Sequence, residues 1–247
     1  MTNIQALAKQ VKYDMFIFFR EPFFALPILL LPAAFFGLYA SMFVKQGADI
    51  QTFGTYIPMY ILLISFLTVF FNIGTQYVTD KELGVIKRFM ISPMKIYNII
   101  ASYIIRGVII SILGYIEMMF MAHFVFHIPL SNNMPMFFLI FIVIVGIMLL
   151  FSIALHGFFK NSRQVIPFTI IMFQYVLFAS GMMFPVDQMA KPLRILVYMN
   201  PIYHMNHVLT NIWYAKVVDL GNVLALAVTV VICLGMLKIQ KGFKTDK

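Results

Sequence analysis

Long apolar runs without charged residues constrain the fold of this chain more than any other feature. A transmembrane helix needs about 20 mainly apolar residues. Five runs of that kind carry no charge, and a sixth is interrupted only by Arg106 and Glu117. The runs predict an all-α integral membrane fold with six transmembrane helices in a single domain, residues 1–247. The predicted spans are residues 22–44, 54–78, 96–124, 136–159, 165–184 and 220–237.

Composition excludes a water-soluble globule. Hydrophobic residues make up 62% of the chain and charged residues 11%, whereas soluble domains are about 45–50% apolar and about 25% charged. The net charge of +9 comes from Lys and Arg scattered between the apolar runs. That distribution is typical of contact with membrane lipid, and we expect no nucleic acid as a partner. Cys233 is the single cysteine, which excludes a disulfide within one chain.

Two uncharged stretches do not fit one span each. The run that extends to Phe159 is twice the needed length, and the turn residues from His127 to Pro135 divide it. The stretch from Ile195 to Ala215 carries many Asn, His and Tyr side chains that would lack partners in hydrocarbon. We therefore predict a partly re-entrant segment on the outer side, before the last span.

The 18 Lys and Arg residues predict which side of the membrane each loop faces. If both ends of the chain are cytoplasmic, Arg106 lies within a span and thirteen other basic residues are cytoplasmic. This arrangement satisfies the positive-inside rule. We expect a multi-pass protein of the cell membrane. The basic residues left on the outer side are Lys45, Lys191, Arg194 and Lys216.

The first 19 residues form an element of their own. Leu7, Val11, Met15 and Phe18 recur at helical spacing, with polar residues opposite. This pattern predicts an amphipathic helix that lies in the cytoplasmic interface. Pro22 suits the first turn of the span that follows.

The loop after the second span is the most informative segment. Leu83, Ile86 and Met90 fall on one helical face. Ser92 and Pro93 resemble an N-cap followed by a proline in the first turn of the third span. A short amphipathic helix within Lys81 to Ile91 is one interpretation, and a solvated loop with ordinary positive-inside charges is the other.

Here the sequence resembles a family. Glu82-x-Gly84, then Lys87, then Ser92-Pro93 is similar to the cytoplasmic loop of type-2 ATP-binding-cassette permeases, although Val85 and Ile86 replace the usual Thr and Leu. Before the last span, the chain resembles the family's outer segment through Pro185, Pro192 and the Asn200-Pro201-Ile202-Tyr203 sequence. The entry Arg20-Glu21-Pro22 is similar as well.

The resemblance implies a permease subunit of an exporter that moves an amphipathic or hydrophobic compound, such as a drug, peptide or lipid, out of the cytoplasm. It implies a homodimer or heterodimer of permeases with two cytoplasmic ATPase subunits, which bind ATP and Mg. Residues 1–247 contain no phosphate-binding Gly-x-x-x-x-Gly-Lys-Ser/Thr loop, so we expect no cofactor and no enzyme activity in this chain. The implied coupling residues are Glu82, Gly84, Ile86, Lys87, Arg88, Ser92 and Pro93, and the implied outer gate residues are Pro185, Pro192, Asn200, Pro201 and Tyr203.

Two charges within the third span support an alternative. Arg106 and Glu117 share one helical face but lie about 16 Å apart along the axis, so they cannot pair directly. Intramembrane charges mark either a transport pathway or a structural pair. An ion-driven secondary transporter using both residues is therefore the second hypothesis, and structural pairing or snorkelling of Arg106 is the simpler interpretation.

The histidines suggest a third hypothesis, an intramembrane enzyme. His204 and His207 can share a helical face, and Glu117 precedes His123 and His127 at the outer end of the third span. Neither group has a recognised ligand spacing. We therefore expect no metal site.

Overall fold

The computed structural model describes residues 3–45, 53–85, 96–180, 186 and 189–245, and within those ranges the regular structure is helical. We label the helices α1 to α9 in chain order. We name the two ends of the bundle cytoplasmic and outer, following the prediction from the basic residues. The helices are α1 Asn3–Arg20, α2 Pro22–Lys45, α3 Tyr56–Glu82, α4 Ile96–Phe120 with a π-helical extension Met121–Val125, α5 Met134–His156, α6 Ser162–Ala179, α7 Lys191–Tyr198, α8 Pro201–Trp213 and α9 Leu220–Thr245.

Six of the described helices are long and apolar enough to cross a membrane: α2, α3, α4, α5, α6 and α9. They coincide with the six predicted spans, which confirms that part of the fold; residues 181–184 of the fifth predicted span lie outside the described ranges. Residues 195–215 contain the second half of α7 and all of α8. These helices have 8 and 13 residues, fewer than the roughly 20 that a span requires.

Helix α3 forms the centre of the bundle. In the apolar stretch of α3 78% of the residues are buried, compared with 22% in the corresponding stretches of α6 and α9. Two glycines of α4 let this helix approach its neighbours closely. A Cβ at Gly107 would lie 2.9 Å from the Leu149 side chain of α5, and a Cβ at Gly114 would collide with Ile64 of α3. Small residues at such crossings are the usual means by which membrane helices pack. The glycines therefore bring α4 close to α5 at Gly107 and to α3 at Gly114.

The middle of α3 is π-helical from Leu67 to Gly74. A π-helical turn disturbs the regular hydrogen bonding of the backbone and frequently lies at a functional site. Here the Ser152 hydroxyl of α5 donates a hydrogen bond to the Val69 carbonyl oxygen at 3.0 Å. The imidazole of His156 lies directly against Gly74, where a Cβ would be 2.5 Å from the ring. The irregular turn is thus filled by polar side chains from α5.

Helix α1 packs along α4 and against the start of α2. Phe18 is buried on that face. Val11 and Met15 are half-buried. Aromatic and aliphatic side chains on the other side of α1 are exposed, notably Phe16 and Ile17. This helix therefore presents apolar surface both to the bundle and away from it.

Candidate functional site

The predicted coupling segment, residues 82–93, begins at the cytoplasmic end of α3. Lys81 and Glu82 are the last residues of that helix, and Leu83 is its C-cap. Gly84 follows with φ +68°, the left-handed conformation in which glycine commonly ends a helix. The helix of the second span therefore continues through Glu82, and residues 86–91 of the predicted coupling helix lie outside the described ranges, so that helix stays a prediction.

The Glu82 carboxylate is bound within the chain. Its Oε2 atom accepts hydrogen bonds from both the main-chain amide and the hydroxyl of Ser162, each at 2.7 Å. Ser162 is the first residue of α6. The side chain of Glu82 remains exposed on its other side. Glu82 therefore contacts the next cytoplasmic turn of the bundle while staying accessible to a partner.

Lys81 binds the same turn from the other end. Its Nζ atom donates to the carbonyl oxygens of Gly157 and Phe159, both at 2.8 Å. Gly157 is the C-cap of α5, so the ammonium group neutralises carbonyls that a helix leaves without partners. Sequence reasoning missed Lys81 and Ser162, because the residues they contact are about 80 positions away in the chain.

Five predicted coupling residues lie outside the described ranges: Ile86, Lys87, Arg88, Ser92 and Pro93. Their role stays a prediction.

Asn200 joins two helices at the predicted outer gate. Its side-chain oxygen accepts from the Ile202 amide at 3.0 Å and so caps α8, where Pro201 occupies the first turn. Its side-chain nitrogen donates to the Ala179 carbonyl oxygen at the end of α6. The side chain is almost completely buried. The Asn200 side chain therefore satisfies a main-chain donor of α8 and a main-chain acceptor at the end of α6.

Two of the other predicted gate residues, Tyr203 and Pro192, lie in α8 and α7. Tyr203 is buried and its ring packs 5.6 Å from Tyr198 and 4.5 Å from His207. Pro192 occupies the first turn of α7. Helix α7 is attached to α6 by the Tyr175 hydroxyl, which donates to the Leu196 carbonyl oxygen at 2.9 Å. Pro185 lies outside the described ranges.

A cavity of about 330 Å³ lies between α2, α3 and α6. Its walls are aliphatic and aromatic, and the polar groups that its lining side chains carry are the phenols of three tyrosines. None of the described lining residues is charged. Sequence reasoning did not find this cavity, because its wall comes from three separate spans with similar apolar composition. The lining residues are Leu31, Pro32, Phe35, Tyr39, Phe53, Tyr56, Met59, Tyr60, Leu63, Leu67, Phe173 and Leu177.

Arg106 is buried among polar groups at the cytoplasmic end of α4. The groups that act electrostatically on its guanidinium are Asp14 of α1, Tyr103 of α4, Asp80 of α3 and Glu21. Its guanidinium carbon lies 5.7 Å from the Tyr103 ring centre, and the Tyr103 hydroxyl donates to Asp80. Arg106 is thus buried beside acidic and phenolic groups, while its Nε and Nη2 atoms have no hydrogen-bond partner within the described residues.

Asp14 supplies the charge on the other side of this cluster. Burial raises the pKa of the Asp14 carboxyl, while the Arg106 guanidinium and a hydrogen bond from Ser102 act in the opposite direction. Glu117 is half-buried and does not belong to the groups that act on Arg106. The structure thus places the two intramembrane charges in separate surroundings, which does not favour a relay between them.

Comparison with known proteins decides the family. The model of the ABC-2 family transporter proteins matches residues 39–237. The chain belongs to this family. It is also 25% identical over 209 residues, 81% of this chain and 71% of the relative, to a protein of Cyanophora paradoxa named "Putative transport permease ycf38".

Family membership identifies the chain as a permease of the ABC-2 type and a multi-pass membrane protein. Such permeases are subunits of ABC transporters and are generally not catalytic themselves. Membership of this family implies that an ABC ATPase is a partner. The matched range includes α3, the cytoplasmic turn with Ser162, the cavity-lining helix α6 and the Asn200 junction. The resemblance inferred from the sequence motifs is confirmed at this level.

The histidines of the permease do not form a metal site in the described part of the chain, where no three His, Cys, Asp or Glu residues lie close enough to hold an ion. Both ring nitrogens of His204 already face protein acceptors, Asn222 Oδ1 at 2.7 Å and the Tyr198 carbonyl oxygen at 2.9 Å. His204 is thereby engaged in linking α8 to α7 and α9. This arrangement gives no support to the intramembrane enzyme hypothesis.

Proposed function

We propose that the permease is the transmembrane subunit of an ATP-driven exporter that moves an amphipathic or hydrophobic compound out of the cytoplasm. Two permease copies, identical or paralogous, would assemble with two separate ATPase subunits that bind ATP and Mg. Both ends of the chain would lie in the cytoplasm. The coupling segment, residues 82–93, would dock on the ATPase.

The uncharged cavity between α2, α3 and α6 is the observation that carries the substrate class. Burying a charged ligand in such surroundings is costly, whereas apolar surface is transferred there favourably. The phenols of Tyr39, Tyr56 and Tyr60 can hydrogen-bond the polar end of an amphipathic molecule. A drug-like, peptidic or lipidic compound suits this lining better than a small ion.

Continuity between the cavity and the coupling segment supports ATP coupling. Helix α3 lines the cavity through Met59, Tyr60 and Leu63, and the same helix ends at Glu82. A movement imposed on the coupling segment therefore acts on a helix that forms the cavity wall. The exposed carboxylate of Glu82 and the adjacent glycine turn lie where a cytoplasmic partner can reach them.

The experiment uses the permease co-purified with its ATPase and reconstituted in lipid nanodiscs. We expect apolar compounds to stimulate ATP hydrolysis. Phe173→Ala, which alters the cavity wall, should change the concentration that gives half-maximal stimulation. Phe178→Ala is the matched control, because Phe178 lies on the same helix but is exposed outside the cavity. Failure of any ATPase to co-purify, or stimulation that responds equally to both variants, would count against the proposal.

A further inference from the structure

Two adjacent residues at the end of α3 bind a single turn of the chain through four hydrogen bonds. Lys81 donates to the carbonyl oxygens of Gly157 and Phe159. Glu82 accepts from the amide and the hydroxyl of Ser162. We call the α5–α6 turn, residues 157–162, together with Lys81 and Glu82, the cytoplasmic clamp. Each charged side chain makes two bonds, so neither can swing without losing both.

The charges of the clamp match the polarity of the helix ends that they meet. The Lys81 ammonium lies at the carboxyl end of α5, where carbonyl oxygens carry partial negative charge. The Glu82 carboxylate lies at the amino end of α6, where free amides carry partial positive charge. Hydrogen bonds to ionised groups are roughly twice as strong as neutral ones.

The same turn is held from behind by α9. The side-chain amide of Gln240 donates to the Ala154 carbonyl oxygen at 2.7 Å. Gly157 leaves space for this side chain, since a Cβ there would lie 2.6 Å from the Gln240 amide carbon. The turn is therefore fixed between the end of α3 and the end of α9.

Helix α6 continues from this turn into the wall of the cavity. Its residues Phe173 and Leu177 line the cavity together with Met59, Tyr60 and Leu63 of α3. The clamp therefore joins, at their cytoplasmic ends, two helices that enclose the same cavity. A rigid link at one end makes a tilt of α3 act on α6 as well.

We propose that Lys81 and Glu82 are positioning residues that transmit movement of the coupling segment to α6, so that the ATPase drives two walls of the cavity together. This inference rests on the proposed function. It adds a role for Lys81, Ser162 and the α5–α6 turn, and it gives Glu82 a partner within the permease.

The test measures the coupling ratio, substrate transported per ATP hydrolysed, in the reconstituted complex. We expect Lys81→Ala and Ser162→Ala, which lie outside the docking segment, to retain the ATPase partner and ATP hydrolysis but to lower this ratio. Lys81→Ala should lower it about tenfold, since a hydrogen bond to a charged group is typically worth more than that factor. Ser162→Ala removes one of the two bonds to Glu82 and should have a smaller effect. Lys160→Ala is the matched control, because Lys160 is an exposed cation of the same turn.

A reversible cross-link distinguishes transmission from loss of folding. In a Cys233→Ala background, Glu82→Cys with Ser162→Cys should uncouple the complex when reduced. A short cleavable bis-thiosulfonate linker between the two cysteines should restore the coupling ratio, and reductant should abolish it again. A coupling ratio that stays normal in both alanine variants, or that the linker fails to restore, would overturn the clamp alone. Absence of ATP-dependent transport in the unaltered complex would overturn the clamp together with the proposed function.

Discussion

The side-chain nitrogen of Asn200 lies 2.8 Å from the main-chain carbonyl oxygen of Ala179, to which it donates a hydrogen bond. The same side chain caps α8 through the Ile202 amide. One residue thus closes the end of a predicted span and starts the short helix that follows. This explains why an asparagine directly precedes Pro201 in the motif by which the sequence resembles its family.

Replacing Asn200 with alanine should loosen the outer junction without preventing membrane insertion. Two hydrogen bonds are lost and a buried carbonyl is left without its donor, so we expect a destabilisation of about 1–3 kcal/mol. Thermal unfolding in detergent measures the effect. Asn206→Ala is the control on the same helix, since the buried Oδ1 atom of Asn206 has no hydrogen-bond partner within the described residues. Equal unfolding midpoints for the two variants would contradict the assigned role.

The contact between Gly74 and His156 gives a second prediction. A methyl group at position 74 would lie 2.5–2.7 Å from three atoms of the imidazole ring, and the ring is buried between α3 and α5. Gly74→Ala should therefore destabilise the bundle by about 1–3 kcal/mol through overpacking. Gly146→Ala is the matched control because no atom of the described residues lies within 4 Å of a Cβ there. It should be neutral or slightly stabilising, since alanine is the better helix former.

The electrostatic interaction between Asp14 and Arg106 gives a third prediction. Asp14→Arg brings two cations together, and Arg106→Asp adds a carboxylate beside Asp14 and Asp80. Each single variant should lower the unfolding midpoint, and the combined exchange should recover part of the loss. Coupling energies between contacting residues are about 0.5–3 kcal/mol. An additive double mutant would show that the two charges act independently.

The sequence predicted the spans because bilayer insertion depends on composition along the chain, and composition is visible without knowing any contact. The end of α3 could also have been found, since a glycine after a helical run commonly ends it. The contact of Lys81 with Gly157 and the electrostatic interaction of Asp14 with Arg106 could not, because they join residues about 80 to 90 positions apart. Their partners are set by how the spans pack.

Orientation in the membrane is a fourth prediction, based on the positive-inside bias. In a Cys233→Ala background, single cysteines at Lys12 and Lys238 should be protected from an impermeant thiol reagent in intact cells. Cysteines at Lys191 and Lys216 should react. All four positions lie in described helices or connections and are exposed there, so burial does not explain protection. Labelling at position 238 in intact cells would overturn the assignment of both ends to the cytoplasm.

Gly84 gives the fifth prediction, which separates backbone shape from side-chain chemistry at the start of the coupling segment. Its φ of +68° is accessible to glycine, tolerated by asparagine and forbidden to proline. Its amide also donates to the Lys81 carbonyl oxygen at 3.3 Å, a bond that proline removes. Among the described residues, no atom lies within 4 Å of a Cβ at this position, so they offer no clash that would explain a loss. We expect Gly84→Pro to insert normally, to release the ATPase on purification and to lose substrate-stimulated hydrolysis. Gly84→Asn should keep the partner and most of the stimulation. If the proline variant transports at the normal rate, the turn after α3 does not determine how the ATPase docks, and the ion-driven hypothesis gains ground.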